Sequence, residues 1–252
     1  NPDHIQKRIR KQQHDKVKRC VKKSFRDCTD FSVSRHFNRF ISVQRAREQD
    51  LALILADPDK AIEGCPQLKM GGSSTISQVE SPQGPVVIKR YNLTSWLYAF
   101  SRLWRPSRAW NSWKAGLRLK YLHLQTPEPL AMIESRWGPL RRKAWIITEF
   151  CSGTPLLDHL NPDIRPSGKE AAEIISLFKT LHRERISHGD FKATNLFWHN
   201  DRISVIDLDS MKQHRFKFTY RRAWKKDRVR LLRNWPTESP LHQWLDETLP
   251  PE

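Results

Sequence analysis

Apolar residues recur along this chain with two different spacings, and the change from one to the other divides it. Ile5, Ile9, Val17, Val21 and Phe25 stand at multiples of four, which predicts a helix over residues 5 to 26. The run FSVSRHFNRFISVQR predicts a short hairpin, EQDLALILA a helix, and DPDKAIEG a turn leading into another helix. From Gln67 the period drops to two. LKM, a GGSST turn, ISQVE, an SPQG turn and PVVIKRY predict three successive strands. A helix is expected over about 95 to 123, broken at Pro106 and restarted by Ser107, and strands follow near 130 to 134 and 143 to 150. Beyond them the pattern is mostly helical. A long amphipathic helix is expected near 167 to 185, and basic helices run to the C-terminus. Between these lie two short strand-like runs, Asn195 to Trp198 and Arg202 to Ile206. The fold class read from this order is α+β, with a small antiparallel β-rich part followed by a larger helical part, and with no internal repeat.

Composition adds a core and a partner class. At 252 residues, 38% apolar with ten Trp and eleven Phe, the chain can bury a sizeable core. No apolar run approaches the roughly 18 residues that cross a bilayer. Cys20, Cys28, Cys65 and Cys151 show no paired spacing, so neither a zinc site nor a disulfide framework is indicated, and a cytoplasmic location is expected. The net charge of +18 is unevenly placed. Residues 1 to 26 carry ten Lys/Arg against two Asp, residues 90 to 120 seven against none, and residues 212 to 233 ten against Asp227 alone. Any one run could be a solvated helix face. Three together favour a polyanionic partner: nucleic acid, an anionic membrane surface or a phosphorylated substrate.

The chemistry concentrates in ISHGDFKATNLFWHNDRISVIDLDS, residues 186 to 210. A hairpin returns its ends to one place, so Asn195 at the start of the first run and Asp207 after the second can converge on one hard cation. Carboxylate and amide oxygens suit Mg²⁺, which keeps positions for water and phosphate. Asp190 stands upstream, where it can accept a proton from an attacking hydroxyl, and Lys192 can offset charge on a transferred phosphoryl group. Asp209 reads either as a supporting acid or as an extra metal ligand, and His188 as a loop prop. His182, His199 and His214 show no metal-ligand pattern. Upstream, GGSST is either a plain hairpin turn or a backbone cradle for phosphates. Lys89 closes VVIK as a point charge suited to α- and β-phosphates. WIITEFCSG ends a strand where the Glu149 carbonyl and the Cys151 N–H could pair with an adenine ring.

The order of Gly-rich turn, VVIK, ITEFCSG, HGDFKATN and IDLD resembles the protein-kinase-like fold. More narrowly, HGDFKATN with IDLDS, VVIKRYN, SRAWNSWKAGLRLKYLHLQTPEPLAMIE and KKDRVRLLRNW resemble the bacterial lipopolysaccharide core (Kdo/heptose) kinases, over about 65 to 236. The resemblance implies a two-lobed kinase that uses ATP and Mg²⁺. Asp190 would then be the base, Asn195 and Asp207 the metal ligands, and Lys89 with Gly71, Gly72, Ser73 and Ser74 the nucleotide-phosphate site. Glu149 to Cys151 would form the hinge. The sequence departs from protein kinases at Gly189, where they carry Arg, at Asp209, where they carry Gly, and in having no A-P-E. This points to a sugar, lipid or small-molecule acceptor. Residues 107 to 123 hold no acid, so either Asp207 or Glu80 is expected to orient Lys89.

The expected domains are a basic extension over 1–50 (readable as the tail of an upstream domain), a nucleotide-binding lobe over 51–150 and a catalytic, acceptor-binding lobe over 151–252. Trp96, Trp104, Trp110 and Trp113 alternate with Arg102, Arg105 and Arg108, a mixture that suits either lobe packing or a membrane interface. The expected acceptor is a lipopolysaccharide core glycolipid, reached by peripheral contact with the inner face of the inner membrane. With no reader motif, nucleic acid is not expected.

Overall fold

The computed structural model describes residues 2–71, 73–92, 106–138 and 140–251, the side chains of 2–7, 9, 10, 69, 70 and 140 excepted. Gly72, Trp96, Arg102, Trp104, Arg105 and the 95–105 part of the expected helix lie outside them. The chain forms two units, one of Asn1–His123 with Glu128–Phe150, the other of Leu124–Pro127 with Cys151–Glu252.

In the first unit, helix α1 (Pro2–Lys23) precedes strands β1 (Phe31–Arg35) and β2 (Arg39–Gln44). Short helices α2 (Ala52–Ala56) and α3 (Pro58–Ala61) follow, then β3 (Gln67–Gly71), β4 (Ser74–Ser81) and β5 (Gly84–Tyr91). Helix α4 (Arg108–Tyr121) leads to β6 (Pro129–Trp137) and β7 (Leu140–Glu149). These seven strands make one antiparallel sheet in the order β1-β2-β6-β7-β5-β4-β3. Residues 31–44, set within the extension by sequence, are strands of that sheet, with Ile41 opposite Ile133. Their pairing partner lies about ninety residues downstream, and local spacing carries no sign of it. With α1 and this hairpin included, the sheet-bearing unit is the longer of the two.

Both faces of the sheet are covered. Leu51, Ile54 and Ile62 pack on Val43, Val86, Ile88, Ile133 and Ile147, the alternate positions that the period of two predicts. Helix α4, capped by the Ser107 hydroxyl on the Trp110 N–H at 3.0 Å, covers the other face. Trp113 is fully buried and its indole N–H donates to Ser24 Oγ at 2.9 Å. Trp110 stacks on Phe25 with ring centroids 4.1 Å apart. Both tryptophans therefore pack this unit. Asp57 caps α3 through the Asp59 and Lys60 N–H groups, with Pro58 at the first helical position.

The second unit carries β8 (Thr154–Pro155), α5 (Leu156–His159) and the long α6 (Gly168–Arg183). Strands β9 (Ile186–Ser187), β10 (Leu196–His199), β11 (Arg202–Val205) and β12 (Lys212–Gln213) follow, then α7 (Lys217–Leu232) and α8 (Pro240–Thr248). The amphipathic pattern of α6 is realised by burial of Ile174, Leu177, Phe178 and Leu181. Phe178 meets Phe191 and Trp224, which ties α6, the 190s loop and α7 into one core. Asn200 and Asp201, both at positive φ (49° and 59°), make the two-residue turn between β10 and β11, as Asn and Asp tolerate.

Candidate active site

The β10–β11 hairpin sets the frame of the site. Leu196 faces Val205 and Phe197 faces Ser204, so Asn195 and Ile206 are the next pair outward, closed by the Ile206 N–H on the Asn195 carbonyl at 3.0 Å. Asp207 follows immediately. Its backbone is left-handed (φ 57°, ψ 57°), a conformation that costs a non-glycine residue about 1–2 kcal/mol and concentrates at functional sites. The Asn195 side-chain amide donates to the Asp190 carbonyl at 2.9 Å, which fixes the flip of the amide and leaves Oδ1 as its acceptor. The hairpin thus sets Asn195 and Asp207 at neighbouring backbone positions, and an amide with a carboxylate is a donor pair whose chemistry fits Mg²⁺. No cluster of three or more His, Cys, Asp or Glu suited to a metal occurs among the described residues.

The loop carrying Asp190 is held from within and from α7. His188 is buried; its Nε2 lies 3.0 Å from the Ile206 carbonyl, and its Nδ1 accepts the Asp190 N–H at 3.3 Å. An Nδ1 that accepts carries no proton, so the ring is the neutral Nε2–H tautomer. Burial depresses its pKa in the same direction, against the pull of the Ile206 carbonyl and of Asp227. From α7, Asp227 accepts the His188 N–H at 2.7 Å and the Gly189 N–H at 2.9 Å. One turn on, Arg230 donates to the Gly189 carbonyl at 2.5 Å and lies 3.2 Å from Asp190 Oδ1. Lys192 stands 3.3 Å from the other Asp190 oxygen. Burial pushes the Asp227 pKa up, and the Gly189 and His188 N–H groups pull it back. Asp227 and Arg230 thus grip both edges of the loop backbone.

Gly189 explains one departure from the protein-kinase pattern. Its φ is +84°, and a Cβ there would stand 2.8 Å from Ser210 Cβ and 2.9 Å from the Ser210 carbonyl. No side chain fits. Asp209 is buried in the turn that follows Asp207. His182 and His214 bond to Tyr220 and Ser187 at 3.1 and 2.8 Å, as packing residues.

The expected nucleotide residues are placed in part. Lys89 stands on β5 opposite Ile76 and Ile146, on the same face of the sheet as Tyr91, whose ring centroid is 5.3 Å from its ammonium. Glu80 stands four register positions up β4 from Ile76, with Gln78 as its hydrogen-bond partner at 3.5 Å. Ser74 belongs to β4, paired with Gly71, and is buried, while Ser73 is exposed. Glu149 ends β7, its N–H on the Glu128 carbonyl at 3.0 Å, and burial followed by the Glu128 charge raises its pKa. Cys151 opens the second unit, with its thiol pKa raised by burial.

Sequence reasoning passed over three residues, Asp227, Arg230 and Glu134. Asp227 left one trace, as the single acid among ten cations between 212 and 233. Glu134 is fully buried on β6. It accepts from the Ser107 hydroxyl and takes two bonds from Arg136, at 2.5 and 3.1 Å, with Arg141 at 3.5 Å.

A search of curated proteins finds no match. A family model described as "Lipopolysaccharide kinase (Kdo/WaaP) family" matches residues 94–246, which include the 190s loop, the hairpin and α7. Among solved structures, one described as "WaaP in complex with acyl carrier protein" aligns with a TM-score of 0.54 at 22% identity, over 76% of this chain and 79% of that one. That likeness establishes the kinase-like α+β fold.

Proposed function

The chain belongs to the lipopolysaccharide kinase (Kdo/WaaP) family, and on that premise we propose that it transfers the γ-phosphoryl group of ATP to a heptose or Kdo hydroxyl of the lipopolysaccharide inner core. The observation that carries the reading is the Asp190 loop. A carboxylate beside an amide–carboxylate hairpin is gripped from α7 at both edges, and phosphoryl transfer depends on positioning of this kind.

In the reaction, the sugar oxygen bonds to the γ-phosphorus, the bond to the β–γ bridging oxygen breaks, and ADP leaves. Asp190 orients the hydroxyl and takes its proton, while Lys192 offsets charge on the phosphoryl group in flight. Asn195 and Asp207 would hold Mg²⁺, whose chemistry is to screen the charge of the triphosphate. Lys89, with the backbone of Gly71, Gly72 and Ser73 and the neighbouring Ser74, would hold the nucleotide phosphates. Glu149 and Cys151 would pair with the adenine edge. The chain would work peripherally on the inner face of the inner membrane, where a lipid-linked acceptor is presented. None of the described helices is long and apolar enough to cross a membrane.

The test is incubation with labelled ATP and inner-core oligosaccharides lacking individual phosphates, with the product mapped by mass spectrometry. Label on one heptose or Kdo hydroxyl is expected. Label that goes only to a protein tyrosine or a small metabolite, and never to core sugar, would falsify the assignment.

A further inference from the structure

Helix α7 has a second face that the catalytic loop does not use. At 100° per residue, Tyr220, Trp224, Asp227 and Leu231 share one side, and all four are buried. Phe218, Arg222, Lys225 and Val229 form the opposite, exposed stripe, flanked by Arg221, Lys226 and Arg233. Phe216, at the helix start, is 54% exposed and Phe218 is 72% exposed. Their rings stack on each other 5.8 Å apart, and the Arg215 guanidinium lies 5.5 Å from the Phe216 ring centroid. Since the one acid between 212 and 233 faces inward, the outward charge of this helix is wholly positive.

We propose that the outer face of α7, led by Phe216 and Phe218, docks on an anionic lipid bilayer. The proposal rests on the lipopolysaccharide-kinase reading only for the reason a bilayer would be near. Apolar residues at both ends of a cationic stripe suit the headgroup boundary, where rings and Val229 enter the acyl edge and Lys and Arg stems extend back to lipid phosphates. Nucleic acid fits less well, because the stack takes up one face of each ring and Val229 has nothing to offer a base or a phosphate. Of the tryptophans that suit a membrane interface, the two among the described residues, Trp110 and Trp113, pack the first unit instead. Docking would lay on the membrane the same helix that grips the Asp190 loop from its other side.

The experiment is co-sedimentation of the full chain, without nucleotide or glycolipid, on vesicles of phosphatidylcholine alone or mixed with phosphatidylglycerol. Retention on the anionic vesicles alone is expected, lost at high salt. The double variants Phe216→Ser/Phe218→Ser and Arg222→Glu/Lys226→Glu should each weaken binding about tenfold or more. Leu53→Ser, an 87% exposed leucine of the first unit, should bind as the parent does, and all variants should keep the parental thermal midpoint. No retention on anionic vesicles at low salt overturns the proposal, as does retention that both double variants keep. So does retention of a single-stranded oligonucleotide in place of vesicles. The vesicles hold neither ATP nor acceptor sugar, so loss of docking and loss of phosphotransfer are read separately.

Discussion

Glu134 in the sheet unit and Asp227 in the helical unit are both buried carboxylates, and the two are neutralised by different means. Glu134 in the sheet unit meets guanidinium groups and a hydroxyl, with Arg136, Arg141 and Ser107 around it. Asp227 in the helical unit meets backbone N–H groups of His188 and Gly189, with Arg230 a turn away. The cations on Glu134 come from its own strand and from the strand beside it, and the hydroxyl from the cap of α4, so that carboxylate holds elements together. The donors on Asp227 are the peptide groups of the loop that bears Asp190, so this one fixes a backbone path. Mutations at the first should register in stability and at the second in turnover as well.

The baseline for that contrast is the largest effect. Asp190→Ala should cut kcat by roughly 10²–10⁴-fold, the range of a positioned general base, while ATP binding by titration calorimetry persists. If turnover survives, the loop is not the reacting centre and the contrast loses its meaning. Asp227→Ala comes next, because it strands two buried N–H groups at about 1–3 kcal/mol each and frees the loop. Both kcat and the thermal midpoint should fall, with Asp227→Asn in between. A variant that loses stability but keeps kcat would make Asp227 the equal of Glu134. Glu134→Gln, measured by denaturant titration, should then cost about 2–3 kcal/mol, toward the lower end for breaking a buried ion pair because its arginines are partly exposed, and leave kcat near parental.

The smallest effect is in pH. The His188 pKa is depressed below 6.5 by burial, and those of His182 and His214 are lowered for the same first reason. Below pH 6.5 the unfolded chain therefore binds protons that the folded chain resists, so stability is full above that value and declines as pH falls beneath it. Asp227 and Glu149 have the opposite sign, since a raised carboxyl pKa favours the folded chain in acid, but two groups oppose three. The thermal midpoint should drop from pH 7 to pH 5, and His188→Gln should flatten the slope. A midpoint that climbs on acidification would refute the neutral tautomer assigned to His188.

What the sequence revealed follows the reach of the interactions involved. Alternation over Val86 to Tyr91 places Lys89 on a strand, and the return of the 196–205 hairpin places Asn195 beside Asp207, because both are decided by neighbours a few residues away. The grip on the Asp190 loop spans about forty residues, from Gly189 to Asp227 and Arg230, and no local period encodes it. Trp110 and Trp113 were ambiguous for a related reason. Their interspersed arginines suit either a membrane edge or a core, and the structure answers with Ser24 and Phe25 from the turn after α1 and Phe31 from β1. The GGSST run, read as a turn, lies largely in strands, because Gly71 pairs with Ser74, and Ser74 and Thr75 pair in turn with Tyr91 and Arg90.

The short segment Leu124–Pro127 lies between stretches of the sheet unit and yet belongs to the helical one. The Gln125 carbonyl takes the Val205 N–H at 3.0 Å, and the Thr126 hydroxyl donates to the Val205 carbonyl at 2.8 Å. A fragment excised at Cys151 would carry the whole reacting loop but would leave the backbone of Val205 bare at the sheet margin. Such an edge invites pairing with another copy. Truncation is therefore a poor route to a minimal phosphotransfer module, whereas a circular permutation that keeps the tetrapeptide attached would respect the way the polypeptide is threaded.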